Sequence, residues 1–157
     1  GVAPRGRIDA VSRQGLPVRL AEGHPELLLV PGDAFGDESP WLFRVADHLA
    51  GGRAATLVVN GGRLTLDEAV GRLAIGAPVI VVEGSGRAAD VLASAGRRGG
   101  SPDPSLARVL LASDPHAGWP VAVATLRAVA LDAEPEDIQA ALAWADAITA
   151  GTAKEWT

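Results

Sequence analysis

Cysteine is absent from this chain, which excludes disulfides, thiolate metal centres and any secreted scaffold that depends on covalent staples. A basic stripe is absent too. The net charge is −5 and the arginines are scattered, so a nucleic-acid backbone is not an expected partner. Lysine is nearly missing: Lys154 stands alone against thirteen arginines, a compositional bias to which no mechanism attaches. No apolar run approaches the ~20 residues needed to span a bilayer, and the opening GVAPRGRIDA lacks a signal-peptide pattern. No direct membrane insertion is therefore expected, and a cytoplasmic location is the default. The nucleophile elbow is also lacking, because Ser85 lies in G-S-G rather than G-x-S-x-G. The three histidines, His24, His48 and His116, show no metal-ligand spacing and read as surface residues.

What the chain does have is an apolar, alternating composition. Hydrophobic residues make up 48% of its 157 residues and charged residues 21%, the balance of one globular domain spanning residues 1–157. Leu27–Val30, Ala55–Asn60, Val79–Glu83 and Ala128–Asp132 are short, nearly continuous apolar runs, as strands buried on both faces of a parallel sheet should be. Helical patterns lie between them. Ser39 before Pro40 reads as an N-cap for a helix through Leu49, ending at Gly51-Gly52. Thr65 with Glu68 has the capping-box spacing for a helix through Leu73 that stops at Gly76. Further helices are expected from Gly86 to Gly96, around Pro104–Ser113, and from Pro135 to Ala150, where Trp144 is spaced as a core residue. Arg97 to Pro104 reads as a surface loop. The expected fold class is α/β, a Rossmann-like parallel sheet flanked by helices.

Ligands of such sheets collect outside the carboxyl ends of the strands, and three of these strands end in polar, glycine-bearing turns. The most informative is Val79 to Ala93, VIVVEGSGRAADVLA, in which a strand stops at a glycine turn and restarts as a helix. Gly84 and Gly86 permit the tight turn, Ser85 lies between them, and Arg87 supplies a planar cationic fork where the helix dipole favours an anion. The same residues also suit a purely structural turn. In NGGRLTLDE, Asn60 to Glu68, the Gly61 and Gly62 amides and the Thr65 hydroxyl are placed to grip a phosphate or ribose. There Glu68 serves either as a sugar-hydroxyl acceptor, as an acid/base group, or simply as a helix cap. In GDAFGDESPW, Gly32 to Trp41, the carboxylates of Asp33, Asp37 and Glu38 suit sugar or base contacts, or a divalent cation, or a solvated turn at a helix start.

At these motifs the chain closely resembles the cytosolic melastatin-homology region of TRPM channels and its stand-alone bacterial relatives, the LSDAT family of the SLOG superfamily. VVEGSGRAADVLA is similar to the family's signature segment nearly residue for residue, with Asn60-Gly61-Gly62 at the expected distance before it. GVAPRG, Gly1 to Gly6, resembles the family's G-[VI]-A-P-W-G strand end with Arg5 in place of tryptophan. His24 before Leu27–Val30 is similar to an N-H-[ST]-H segment whose second histidine is Glu26 here, and FGDESPW resembles the bacterial form of the next turn. The resemblance spans roughly Gly1 to Ala95. Asn60 to Glu68 is also similar to the P-G-G-x-G-T-x-x-E motif of LOG-type phosphoribohydrolases, with Asn60 for proline and Leu64 for the third glycine. The arginine that assists catalysis before that motif has Arg44 and Arg53 as its candidates here.

The resemblance implies a nucleotide-sensing domain that binds a small phosphorylated nucleoside, ADP-ribose or NAD-like, in a signalling role. Helix N-termini at Gly62 and Gly86 would hold phosphates, Arg87 would neutralise charge, and Glu83 or the acidic turn would take ribose hydroxyls. No cofactor is required and no metal is expected. An N-glycosidase with Glu68 as acid/base is the enzymatic alternative, and an assembly module with purely structural glycines is a third. The family fold begins with strand–helix units upstream of the point that Gly1 matches. The sheet is therefore expected to be incomplete at its N-terminal side, the chain being the C-terminal portion of such a domain, a shortened member, or one completed by a homo-oligomer or a second polypeptide. The family adds a membrane effector as a further partner.

Overall fold

The computed structural model describes residues 2–7, 26–110 and 123–152, and the chain divides into two compact units, Gly1–Ala50 and Gly51–Thr157. The first unit contains a two-stranded parallel sheet, β1 (Val2–Pro4) beside β2 (Leu28–Val30), with Pro4 opposite Val30. A short 3-10 turn, Arg5–Arg7, follows β1, and the Gly6 amide donates to the Gly32 carbonyl at 2.9 Å. The first glycine-ended strand is thereby tied to the turn that follows the second. Helix α1 spans Ser39–Leu49. The expected cap is displaced by one position: Glu38 occupies the N-cap with helical torsions, φ −75° and ψ −20°, while Ser39 is the first helical residue and is buried. Pro40 is still tolerated, because an amide in the first turn has no intrahelical acceptor to lose.

The second unit is a three-stranded parallel sheet in the order β3 (Thr56–Val58), β4 (Val79–Glu83), β5 (Leu126–Ala130). β4 is the central strand and the most apolar. Its side chains alternate between two layers: Val79 and Val81 pack with Val58 against α2 (Arg63–Ala74) and α3 (Arg87–Arg97). Ile80 faces the other way, onto Ala141 and Ala145 of α5 (Pro135–Thr152), with Val129 and Trp144 beside them. A strand buried on both faces has no polar side to alternate, which is why VIVV reads as a continuous apolar run. Trp144 takes the core position that its spacing implies, and Arg127 stacks over its ring at 5.8 Å.

Several boundaries differ from the sequence reading, among them β3, which ends at Val58 rather than Asn60. β5 begins two residues earlier, at Leu126, because Leu126 and Arg127 pair with Val79 and Ile80; the charged Arg127 disguises the strand start in a one-dimensional pattern. Helix α4 covers Pro104–Leu110, and the rest of the expected segment to Ser113 lies outside the described residues, as do His24 and His116. The loop between α3 and α4 is ordered by hydrogen bonds. The buried Ser94 hydroxyl accepts from the Asp103 amide at 2.9 Å, and the Asp103 carboxylate accepts from the amide and hydroxyl of Ser105. Among the described residues no helix is long and apolar enough to cross a membrane.

Candidate anion-binding site

Because β3 and β4 are parallel neighbours, their C-terminal turns lie side by side. In the first turn Asn60 has φ +57° and Gly61 φ +91°, after which Gly62 returns to an extended conformation and α2 begins at Arg63. A side chain at Gly61 would stand 2.6 Å from Thr65 Cγ2, so only glycine fits. Thr65 is not the N-cap that its spacing with Glu68 implied. It is the third helical residue, and its hydroxyl accepts from the Gly62 amide at 3.3 Å. The hydroxyl proton stays available to another acceptor. Among the described residues, none accepts from the Arg63, Leu64 or Thr65 amides, so the positive end of α2 presents three donors outward. Glu68, one turn further on, is half-buried and already engaged within the protein.

The second turn carries three left-handed residues within four positions: Gly84 at φ +90°, Gly86 at +98° and Arg87 at +51°. For arginine this conformation is strained, by about 1–3 kcal/mol, and such strain persists only where the surroundings over-determine it. Here the surroundings are the first turn. The Ala89 and Ala88 amides donate to the Asn60 and Gly61 carbonyls at 3.0 and 3.4 Å. The Ser85 hydroxyl accepts from the Asn60 amide at 2.8 Å and donates to the Val82 carbonyl at 2.6 Å. Two of the first amides of α3 thus face protein carbonyls, and the single Ser85 proton is committed. The expectation that both helix starts offer free amides narrows to the start of α2.

Arg87 joins the two. Its Nη2 lies 3.3 Å from the point where a Cβ on Gly62 would stand, placing the guanidinium against the glycine that opens α2. Arg87 is exposed and has no ion-pair partner among the described residues. Gly61, Gly62, Thr65, Gly84, Ser85, Gly86 and Arg87 are therefore brought together. Glu83, at the end of β4, forms an ion pair with Arg97.

The acidic turn belongs to the first unit and closes on itself. Asp37 Oδ2 accepts from the Asp33 and Ala34 amides at 2.9 and 3.0 Å, and Glu38 Oε2 accepts from the Gly36 amide at 2.7 Å. The Asp33 carboxylate stands against Gly6. No cluster of three or more histidine, aspartate or glutamate side chains able to hold a metal occurs among the described residues. Of the two candidate arginines, Arg44, in the first unit, lies over the Trp41 ring at 5.8 Å, and Arg53 pairs with Asp146. That pairing raises the Arg53 guanidinium further above its ordinary range.

Two residues of this region have roles that the sequence reading did not assign. Asn60 takes a left-handed conformation that asparagine adopts more readily than most residues, and its carbonyl holds the start of α3. Asp90 accepts a hydrogen bond from the Gly84 amide at 2.7 Å. A signal for Asn60 was available in its replacement of proline in the glycine motif; Asp90 gave none, being one more acidic residue in a first helical turn.

A comparison with curated proteins finds no match. The family described as "SLOG in TRPM, prokaryote" matches residues 1–140, well past the segment whose motifs carry the resemblance and on through α4, β5 and the first turns of α5. The signature glycine turn, the preceding Asn60-Gly61-Gly62 and this nearly complete coverage agree, and the chain belongs to the prokaryotic family of SLOG domains in TRPM.

Proposed function

We propose that this chain senses a nucleotide-derived ligand of the ADP-ribose or NAD type, and that a phosphate of the ligand sits between the start of α2 and the Arg87 guanidinium. The observation that supports this most directly is the placement of Arg87 Nη2 against Gly62, beside three outward amides and the free Thr65 proton. An anion there meets backbone donors, a helix dipole and a planar cation at once. Gly62 has no side chain to hold the phosphate away from the backbone. Membership of the SLOG family fits nucleotide-related ligands in general.

Ribose hydroxyls are assigned to the exposed rim of the same edge, where Glu83 and the turn at Gly84 to Gly86 stand. Glu83 can accept from a hydroxyl while keeping one oxygen on Arg97, since a carboxylate has about four lone-pair sites. The output of the site is a signal rather than a product. Titration calorimetry with ADP-ribose, NAD and inorganic phosphate tests the reading: saturable binding by the wild-type protein, weakened in Arg87→Ala, supports it, and the absence of heat with all three overturns it.

A further inference from the structure

The turn that presents Arg87 is not self-supporting. Three of its four residues from Gly84 to Arg87 have left-handed torsions, and a hydrogen bond that closes such a segment holds it against its strain. The acceptor of that bond is Asp90: its Oδ1 takes the Gly84 N–H at 2.7 Å from six residues further on. The bond spans the whole strained segment, from the residue that opens the turn to the first turn of α3. Asp90 also lies three residues after Arg87, on the same side of the helix, so its charge is felt by whatever Arg87 binds. A carboxylate next to an anion site opposes the anion, and the hydrogen bond it accepts from the Gly84 amide gives a reason for its being there.

We infer that Asp90 is the positioning residue of this site, acting through the Gly84 turn to aim the Arg87 guanidinium at Gly62; this rests on the proposed phosphate site. Its two effects have opposite signs. The hydrogen bond helps an anion to bind by ordering Arg87, and the negative charge hinders it. Asparagine retains the acceptor and removes the charge, whereas alanine removes both.

The test has two arms. In the ligand-free protein, amide exchange followed by NMR should show the Gly84 N–H exchanging roughly tenfold faster in Asp90→Ala, since one bond of about 1.4 kcal/mol guards it, with protection restored in Asp90→Asn. In the second arm, ADP-ribose is titrated into wild type, both variants, and both combined with Arg87→Ala. Asp90→Ala should weaken binding by about tenfold, and Asp90→Asn should match or exceed wild type. Once Arg87 is gone the loss in Asp90→Ala should disappear, because positioning runs through that side chain, and only the small gain from removing the charge should remain in both variants. A purely structural carboxylate would lower affinity equally in the two backgrounds, and that result overturns the inference. So does unchanged Gly84 exchange in Asp90→Ala, which decides the point even if the wild type binds no ADP-ribose and the proposed function fails.

Discussion

Arg87 reaches across from the first residue of α3 to lie against Gly62 at the start of α2, its Nη2 3.3 Å from the position of an absent Cβ. The two residues are 25 positions apart in the chain and come from different strand ends, so their meeting is a product of parallel pairing between β3 and β4. Replacing Arg87 by alanine should weaken ADP-ribose binding by roughly 1.5–3 kcal/mol, the scale of a charge-assisted hydrogen bond. Lysine should restore little of it, lacking the planar fork. Calorimetry on both variants measures the loss.

Gly61 and Gly62 separate stability from binding. Alanine at Gly61 meets a φ of +91° and the Thr65 side chain, and should destabilise the fold by about 1–3 kcal/mol. Alanine at Gly62, where the backbone is extended, displaces only the mobile end of Arg87. Thermal melts should therefore fall for the first variant and hold for the second, while ADP-ribose affinity falls for both.

Ser85→Ala removes the hydroxyl that accepts from Asn60 and donates to Val82. Because Asn60 is exposed, losing this partner should cost about 0.5–1.5 kcal/mol, the net value of a typical hydrogen bond, read as a melting temperature lower by roughly 2–4 °C per kcal/mol for a chain of this size. An unchanged melt would show that water replaces the hydroxyl.

Asp103 gives a pH dependence. Hydrogen bonds from the Ser105 hydroxyl and amide hold its carboxyl below the usual carboxylate range. Stability from a depressed carboxyl is fully present above the unfolded value near 3.9 and is lost as the pH falls through the lower folded value. Melts of wild type and Asp103→Asn should differ at pH 6 and converge once the pH is well below about 4.

Nucleoside monophosphates, NAD and ADP-ribose should survive incubation with the protein. Leu64 stands where the related enzyme motif has glycine, and Glu68 is engaged within the fold. Chromatographic detection of released base that vanishes in Glu68→Gln would instead make the chain an N-glycosidase.

Strands, helices and the two glycine turns were legible because each leaves a local mark: an apolar run, a proline or a glycine at a helix end. What stayed hidden was the pairing of groups distant in sequence. Nothing in GSGRAAD states that the amides of Ala88 and Ala89 are committed to Asn60 and Gly61, since those bonds depend on strand register rather than residue type. The capping-box reading of Thr65 failed for a related reason. Gly61 and Gly62 set the helix start three residues earlier, with Gly62 as the N-cap, and a threonine at the third position can accept from the cap amide in place of glutamate. The acidic turn, by contrast, was chemically ambiguous from the outset, and its Asp37 and Glu38 carboxylates accept from its own amides.

The alanines of α3 bear on how this protein can change. Ala88, Ala89, Ala93 and Ala95 are all buried to within 1% of full enclosure, so the helix rides on the sheet at the shortest distance that small side chains permit. A single added methylene on that face would lift the helix, and with it Arg87, away from Gly62. Variation that retunes the ligand is thereby steered toward the exposed rim, at Leu64, Glu83 and Leu131, while the spacing beneath it admits almost no drift.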